Sequence, residues 1–235
     1  MIGQADAAFD ALSIVGGLGG PTDGILEGEV HMVDYLAFLL SVYDGQAPEQ
    51  WGFVFTTTPT AAPFATALDS AIASLRRVGL IASRASLLHA TARTRGELAR
   101  WRALARNQRR EPYLRAAVVA TEQLTLPTLA RGINQEPQLR HAAQTQSMRT
   151  LPDTLALGEL REQFQTINNV LGEPTIPAGS PDLDEDLMVR AVLWLHYLER
   201  TATNEGEAAW RPREPGTGPA CSQAPRAVGY HAEGN

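Results

Sequence analysis

The sequence contains no lysine: all twenty of its basic residues are arginine. That excludes a GK[ST]-type phosphate loop, Schiff-base chemistry on the chain and a kinase-type ATP lysine. The simplest origin of the bias is a GC-rich coding sequence. Cysteine is nearly missing too. The single thiol, Cys221, lies in a Pro/Gly-rich stretch, which leaves neither an internal disulfide nor a zinc site built on several cysteines. There is no apolar run of about 18 residues, so a membrane-spanning helix is not expected. The opening residues carry Asp6 and Asp10 and no basic stretch, from which we expect no secretory leader and a cytoplasmic location.

What remains is ordinary globular composition: 235 residues, 44% hydrophobic and 20% charged, enough for one large or two small domains. The formal charge of −6 hides a strong segregation. Residues 1–75 hold nine acids and no arginine, residues 76–115 hold eleven arginines against Glu97 and Glu111, and residues 116–235 are acidic again. Such block asymmetry speaks to partners and steering rather than to fold.

The first 28 residues are small, apolar and glycine-rich, with Gly16-Gly17-Leu18-Gly19-Gly20-Pro21 as a breaker, and read as a flexible segment. The glycines lack GxGxxG spacing. From His31 to Asp44, Met32, Tyr35, Leu36, Leu39, Leu40 and Tyr43 recur at three and four, which predicts an amphipathic helix. A strand over 51–58 follows, then a helix from Thr60 or Ala61 to Val78 with Pro63 in its first turn, ended by Gly79. Leu80–Ala82 and Leu87–His89 read as a hairpin turning near Arg84. Helix, strand, helix and hairpin in that order predict a mainly α chain with a degenerate winged-helix-like N-terminal half. The expected division is a winged-helix-like domain over 29–110, a helical domain over 111–203 and a disordered tail over 204–235. Residues 172–182 read as a linker and Asp153 as the cap of a helix over 154–171.

Thr94-Arg95-Gly96-Glu97 has the pattern of a capping box opening a helix to about Arg110. On that helix Arg95, Arg102, Arg106 and Arg109 share one face, opposite Leu98, Trp101, Leu104 and Ala105. With Arg76, Arg77 and Arg84 they form a candidate nucleic-acid surface, because guanidinium forks suit phosphates. The competing reading is a solvated face, or an ion-pair surface docked on the acidic first third of the chain. The last helix, Asp184 to Thr203, is apolar nearly all round; beyond its main face it carries Val189, Val192, Leu193 and Tyr197, a candidate partner interface.

No catalytic or metal-binding set emerges. Asp182, Asp184, Glu185 and Asp186 resemble the start of a calcium loop, but Leu187 and Leu193 occupy its glycine and glutamate positions. The five histidines (31, 89, 141, 196 and 231) show neither HExxH nor HxH spacing, and no Ser/His/Asp order or nucleophile elbow appears. We therefore expect no enzyme, cofactor or metal.

The stretch from Val33 to Ile81 resembles the winged-helix-like core of Panacea/SocA-type antitoxins and of the middle-component subunits of ABC-three-component conflict systems. The resemblance rests on Leu36, Phe38, Leu39 and Leu40, then Phe53 and Phe55, then Leu68, Leu75, Gly79, Leu80 and Ile81. It implies a non-enzymatic accessory subunit of a prokaryotic complex in phage or plasmid defence, working beside an ATPase or toxin encoded nearby. On that expectation the arginine helix contacts double-stranded DNA or an acidic subunit; the alternative is a winged-helix transcriptional regulator or antitoxin.

Overall fold

The computed structural model describes residues 2–19, 24–151, 156–172 and 183–209. The expected linker after Gly172, the Asp153 cap, most of the acidic run 182–186 and the tail beyond Ala209 lie outside the described residues or side chains. No described helix is long and apolar enough to cross a membrane.

The first correction concerns the opening segment. Ile2–Leu18 is a helix (α1), and Ala7, Phe9, Asp10, Ala11, Leu12, Ile14 and Val15 on it are fully enclosed. A helix buried on every side shows no polar face, so its alanines and glycines give no 3.6-residue signal. Its small residues are what allow the close approach. A Cβ on Gly17 would sit 2.7 Å from the Val118 side chain.

Ile25–Leu26 (β1) leads into Glu27–Tyr43 (α2), where every residue from Val30 to Val42 is buried. The expected amphipathic helix is thus a central one, carrying His31, Asp34 and Ser41 into the interior. A 3-10 turn, Pro48–Trp51, precedes β2 (Phe55–Thr57) and β3 (Pro63–Phe64). The helix expected from Thr60 or Ala61 starts later, as α3 (Thr66–Arg77), because Pro63 and Phe64 pair with β2. The hairpin β4 (Ile81–Arg84) and β5 (Leu87–Ala90) turns through Ala85 and Ser86, both at positive φ, as a tight two-residue hairpin loop requires.

The sheet order is β1-β5-β4, antiparallel, with Ile25 opposite Leu88. With α1, α2 and α3 the order is helix, strand, helix, helix and hairpin, in a mainly α chain. The third strand of that sheet is β1, from a stretch the sequence reading gave no strand. Phe55–Thr57 instead pairs with β3 and with β6 (Thr150–Leu151) in a second small sheet.

The remainder is helical: α4 (Thr94–Arg102), α5 (Ala105–Gln108), α6 (Glu111–Gln123), α7 (Leu126–Asn134), α8 (Pro137–Thr145), α9 (Ala156–Leu171) and α10 (Leu183–Ala209). Helix α10 runs past the expected end at Thr203. The boundary expected at 110/111 is bridged: α6 packs on α1, α2 and α10, and one continuous apolar cluster runs from Ala7 to Leu198.

Glu136 and Arg190 pin the C-terminal helices. The Glu136 carboxylate caps α8, accepting from the N–H groups of Gln138 (3.1 Å) and Leu139 (3.0 Å), and the Tyr35 hydroxyl reaches it at 3.3 Å. Arg190 donates to Asp186, Tyr43 and Asn168, each at 2.6 Å, joining α10 to α2 and α9.

The burial of α1 makes a direct prediction. Phe9→Ala should cost about 3–5 kcal/mol in chemical denaturation, as for any enclosed aromatic. A flexible opening segment would show essentially no change.

Candidate functional site

The arginine block does not form one helix. Helix α4 ends at Arg102, and Leu104 turns extended (φ −76°, ψ 126°) before α5. The Asn107 side-chain amide donates to the Trp101 carbonyl at 2.8 Å, taking up an acceptor that the break frees. Leu104, expected in the core, is 46% exposed. The Thr94 hydroxyl is not a cap either: it accepts from the Thr91 N–H and donates to the Leu80 carbonyl, while Glu97 pairs with Arg100. These bonds, with Arg93 Nη1 donating to the Val78 carbonyl at 3.1 Å, stitch the start of α4 to the end of α3.

The break divides the stripe between two concavities. Arg95 and Arg102 line a groove of about 680 Å³ beside Gly16, Gly17 and Thr91. Arg106, Arg109 and Arg110 line a pocket of about 270 Å³ with Asp6, Gln50 and Trp51.

Arg110, which the sequence reading passed over, is the best-held residue of the block, only 6% exposed. Its Nε donates to Asp10 Oδ1 at 2.9 Å, its Nη2 to the other Asp10 oxygen, and its Nη1 to the Trp51 carbonyl. The guanidinium carbon lies 3.9 Å from the Trp51 ring centroid, a cation–π contact in a desolvated place. Gly52 follows Trp51 at a φ of +87°, which favours glycine, and a Cβ there would press on the Asp6 carboxylate.

Asp34 lies beside this pair, fully buried, with neither carboxyl oxygen accepting a hydrogen bond. Burial and the Asp10 charge push its pKa well above the ordinary carboxylate value. Burial also raises Asp10, against the pull of Arg110. Two buried carboxyls thus face one guanidinium, and burial favours the neutral form of Asp34 beside the Asp10–Arg110 pair.

The other arginines singled out in the sequence fall into two sets. Arg76 lies 4.0 Å from Glu27, Arg102 2.8 Å from Glu111 and Arg106 4.0 Å from Asp6. Arg77, Arg84, Arg95 and Arg109 are exposed, and none has an acidic partner among the described residues. On α10, Val189 and Leu193 are 40% and 37% exposed, whereas Val192 and Tyr197 are half-buried against the core.

Glu27, His31 and Asp69 bring three ligand-type atoms within 4.8 Å of one another. The imidazole is the wrong tautomer for a metal. His31 Nδ1 accepts the Ala65 N–H at 3.1 Å, which leaves the proton on Nε2, whereas a ligating histidine donates from its second nitrogen. Burial holds the ring neutral, with its pKa lowered to about 4. The cluster therefore makes the N-terminal end of α3 acidic, while Arg76 and Arg77 make its C-terminal end basic.

Comparison with protein-family models, with curated proteins and with solved structures finds no match.

The raised buried carboxyls set a pH dependence. Asp34 binds its proton more tightly folded than unfolded, as does Glu136, which burial pushes up to about 7. The folded chain thus holds more protons above the ordinary carboxylate range, and stability falls as pH rises. In urea titrations from about pH 5 to about pH 8, Asp34→Asn should flatten that decline, and Glu136→Gln should remove more of it. Asp10→Asn, which strands Arg110, should cost about 3–5 kcal/mol. Equal damage from Asp34→Asn and Asp10→Asn would contradict a neutral Asp34 beside an ionised Asp10.

Proposed function

We propose that the protein is a non-enzymatic accessory subunit of a prokaryotic complex, of the kind used in phage or plasmid defence, that holds a nucleic-acid backbone through its exposed arginines. The observation that carries this reading is the set Arg77, Arg84, Arg95 and Arg109. All four are exposed without an acidic partner among the described residues, on a chain whose net charge is −6. An acidic protein avoids non-specific polyanion contact by its overall field, so unpaired arginines gathered in one block are suited to a local contact. Arg84 sits on the last residue of β4, at the tip of the hairpin, a position from which a side chain reaches phosphates.

The expected winged-helix order favours a second reading, a DNA-binding regulator that inserts α3 into the major groove. The charge of α3 opposes it. Recognition helices meet base edges through their N-terminal residues, and here that end presents Asp69 beside Glu27. Backbone contact from the hairpin and α4 meets no such repulsion. The exposed Val189 and Leu193 on α10 suit contact with another subunit in the same complex.

The test is anisotropy of a labelled 20-base-pair duplex, comparing wild type with Arg77→Glu/Arg84→Glu/Arg95→Glu. Four phosphate contacts predict that affinity falls about 10²-fold between about 50 and about 200 mM salt. The triple variant should bind far more weakly with a shallower salt slope. Protection of one operator in a footprint would favour the regulator. No binding at low salt would overturn the nucleic-acid contact and turn the search to an acidic protein surface.

A further inference from the structure

We propose that the pocket lined by Trp51, Arg106, Arg109 and Arg110 is a binding site for a phosphate monoester. The proposal shares only Arg109 with the nucleic-acid reading above, and the residues tested there, Arg77, Arg84 and Arg95, do not line this pocket.

The first argument is an imbalance of hydrogen-bonding groups. Of the five N–H groups of Arg110, three are engaged by Asp10 and the Trp51 carbonyl, leaving two over. Trp51 is buried, and its Nε1–H finds no acceptor among the described residues. Arg109 has no acidic partner among them, and Arg106 has only the loose 4.0 Å approach to Asp6. Gln50 adds an amide at the rim. The Trp51 Nε1–H is sealed from the pocket, so the donors a ligand meets are the guanidinium and Gln50 N–H groups, a set complementary to a ligand made of acceptors. Tetrahedral oxyanions meet that description, and guanidinium forks match their geometry.

The second argument is charge. Three guanidiniums face two carboxylates, Asp6 in the lining and Asp10 behind Arg110, which leaves one positive charge uncompensated. The pocket also opens at the N-terminal end of α6, where the helix dipole favours an anion.

The third is preorganisation. Asp10, the Trp51 carbonyl and the Trp51 ring fix the Arg110 guanidinium in place, so a ligand finds it already ordered and does not bear the entropy of ordering it. The volume, about 270 Å³, suits a terminal phosphate with a small substituent; a duplex, about 20 Å across, cannot enter. The phosphate can come from a free small molecule or from the end of a nucleic-acid strand.

Calorimetric titration of the full chain with inorganic phosphate, adenosine 5′-monophosphate and adenosine tests the proposal. Both phosphates should bind and compete with each other, while adenosine gives no heat. Arg109→Gln, at an exposed position that folding does not need, should weaken both phosphates about 10-fold or more, and Gln50→Glu should do the same by repulsion. The Arg77→Glu/Arg84→Glu/Arg95→Glu variant should bind them as wild type does. Failure of that variant on duplex with phosphate binding intact keeps the two readings apart. A further arm compares a short strand bearing a 5′-phosphate with one bearing a 5′-hydroxyl. Preference for the phosphorylated end assigns the strand terminus as the source; no preference, with the mononucleotide bound, assigns a free ligand. Absence of phosphate binding at about 10 mM, or affinity unchanged in both pocket variants, would overturn the site.

Discussion

The ion pair between Asp10 and Arg110 is the constraint on which the rest of the molecule depends. Asp10 has no exposure at all and Arg110 nearly none, so both charges have left water, a cost that Coulomb attraction alone does not always offset. The surroundings supply the difference. The pair is bidentate, the third guanidinium nitrogen is bonded to the Trp51 carbonyl, and the Trp51 ring covers the cation. One contact therefore fixes the rotation of α1 in the core, the start of α6 and the loop after α2. Apolar packing by itself would leave small-residue helix α1 several comparable settings; a buried charge accepts one.

The same pair explains how the charge segregation of the sequence is partly resolved. The acidic first third lies beneath the basic block: Asp10 meets Arg110, Asp6 approaches Arg106 and Glu27 approaches Arg76. The ion-pair surface weighed against a nucleic-acid surface is thus present for part of the block. Arg76, Arg102, Arg106 and Arg110 have acidic partners, whereas Arg84 at the hairpin tip, Arg77 at the end of α3, Arg95 on α4 and Arg109 before α6 have none among the described residues. Paired and unpaired arginines stand on both sides of the helix break at Ala103-Leu104, which sets Arg95 and Arg102 in one concavity and Arg106, Arg109 and Arg110 in another.

The C-terminal helices are attached by polar anchors set within apolar contact. Glu136 caps α8 under the Tyr35 hydroxyl, and Arg190 gathers Tyr43, Asn168 and Asp186. Both reach α2, so the central helix is the reference to which each half of the chain is registered. The strand pair Phe55–Leu151 adds a backbone link across the same divide. These links, and the apolar cluster that runs through them, are why the chain does not part at residue 110.

Local chemistry was legible in the sequence by itself. The apolar stripes of α3, α9 and α10, the hairpin after Gly79, the mainly α class and the basic block all follow from periodicity, turn residues and composition, which act over a few residues. Tertiary structure alone decided the rest. Helix α1 shows no periodicity because its middle, Asp6 to Val15, is enclosed nearly all round; β1 is two residues long and exists through its pairing with β5; Pro63-Phe64 is a strand because β2 lies beside it. Asp34 and Arg110 look like ordinary surface charges in a string of letters. Burial, and partners 24 and 100 positions away along the chain at Asp10, give them their roles, since desolvation belongs to the assembled interior and not to any stretch of sequence.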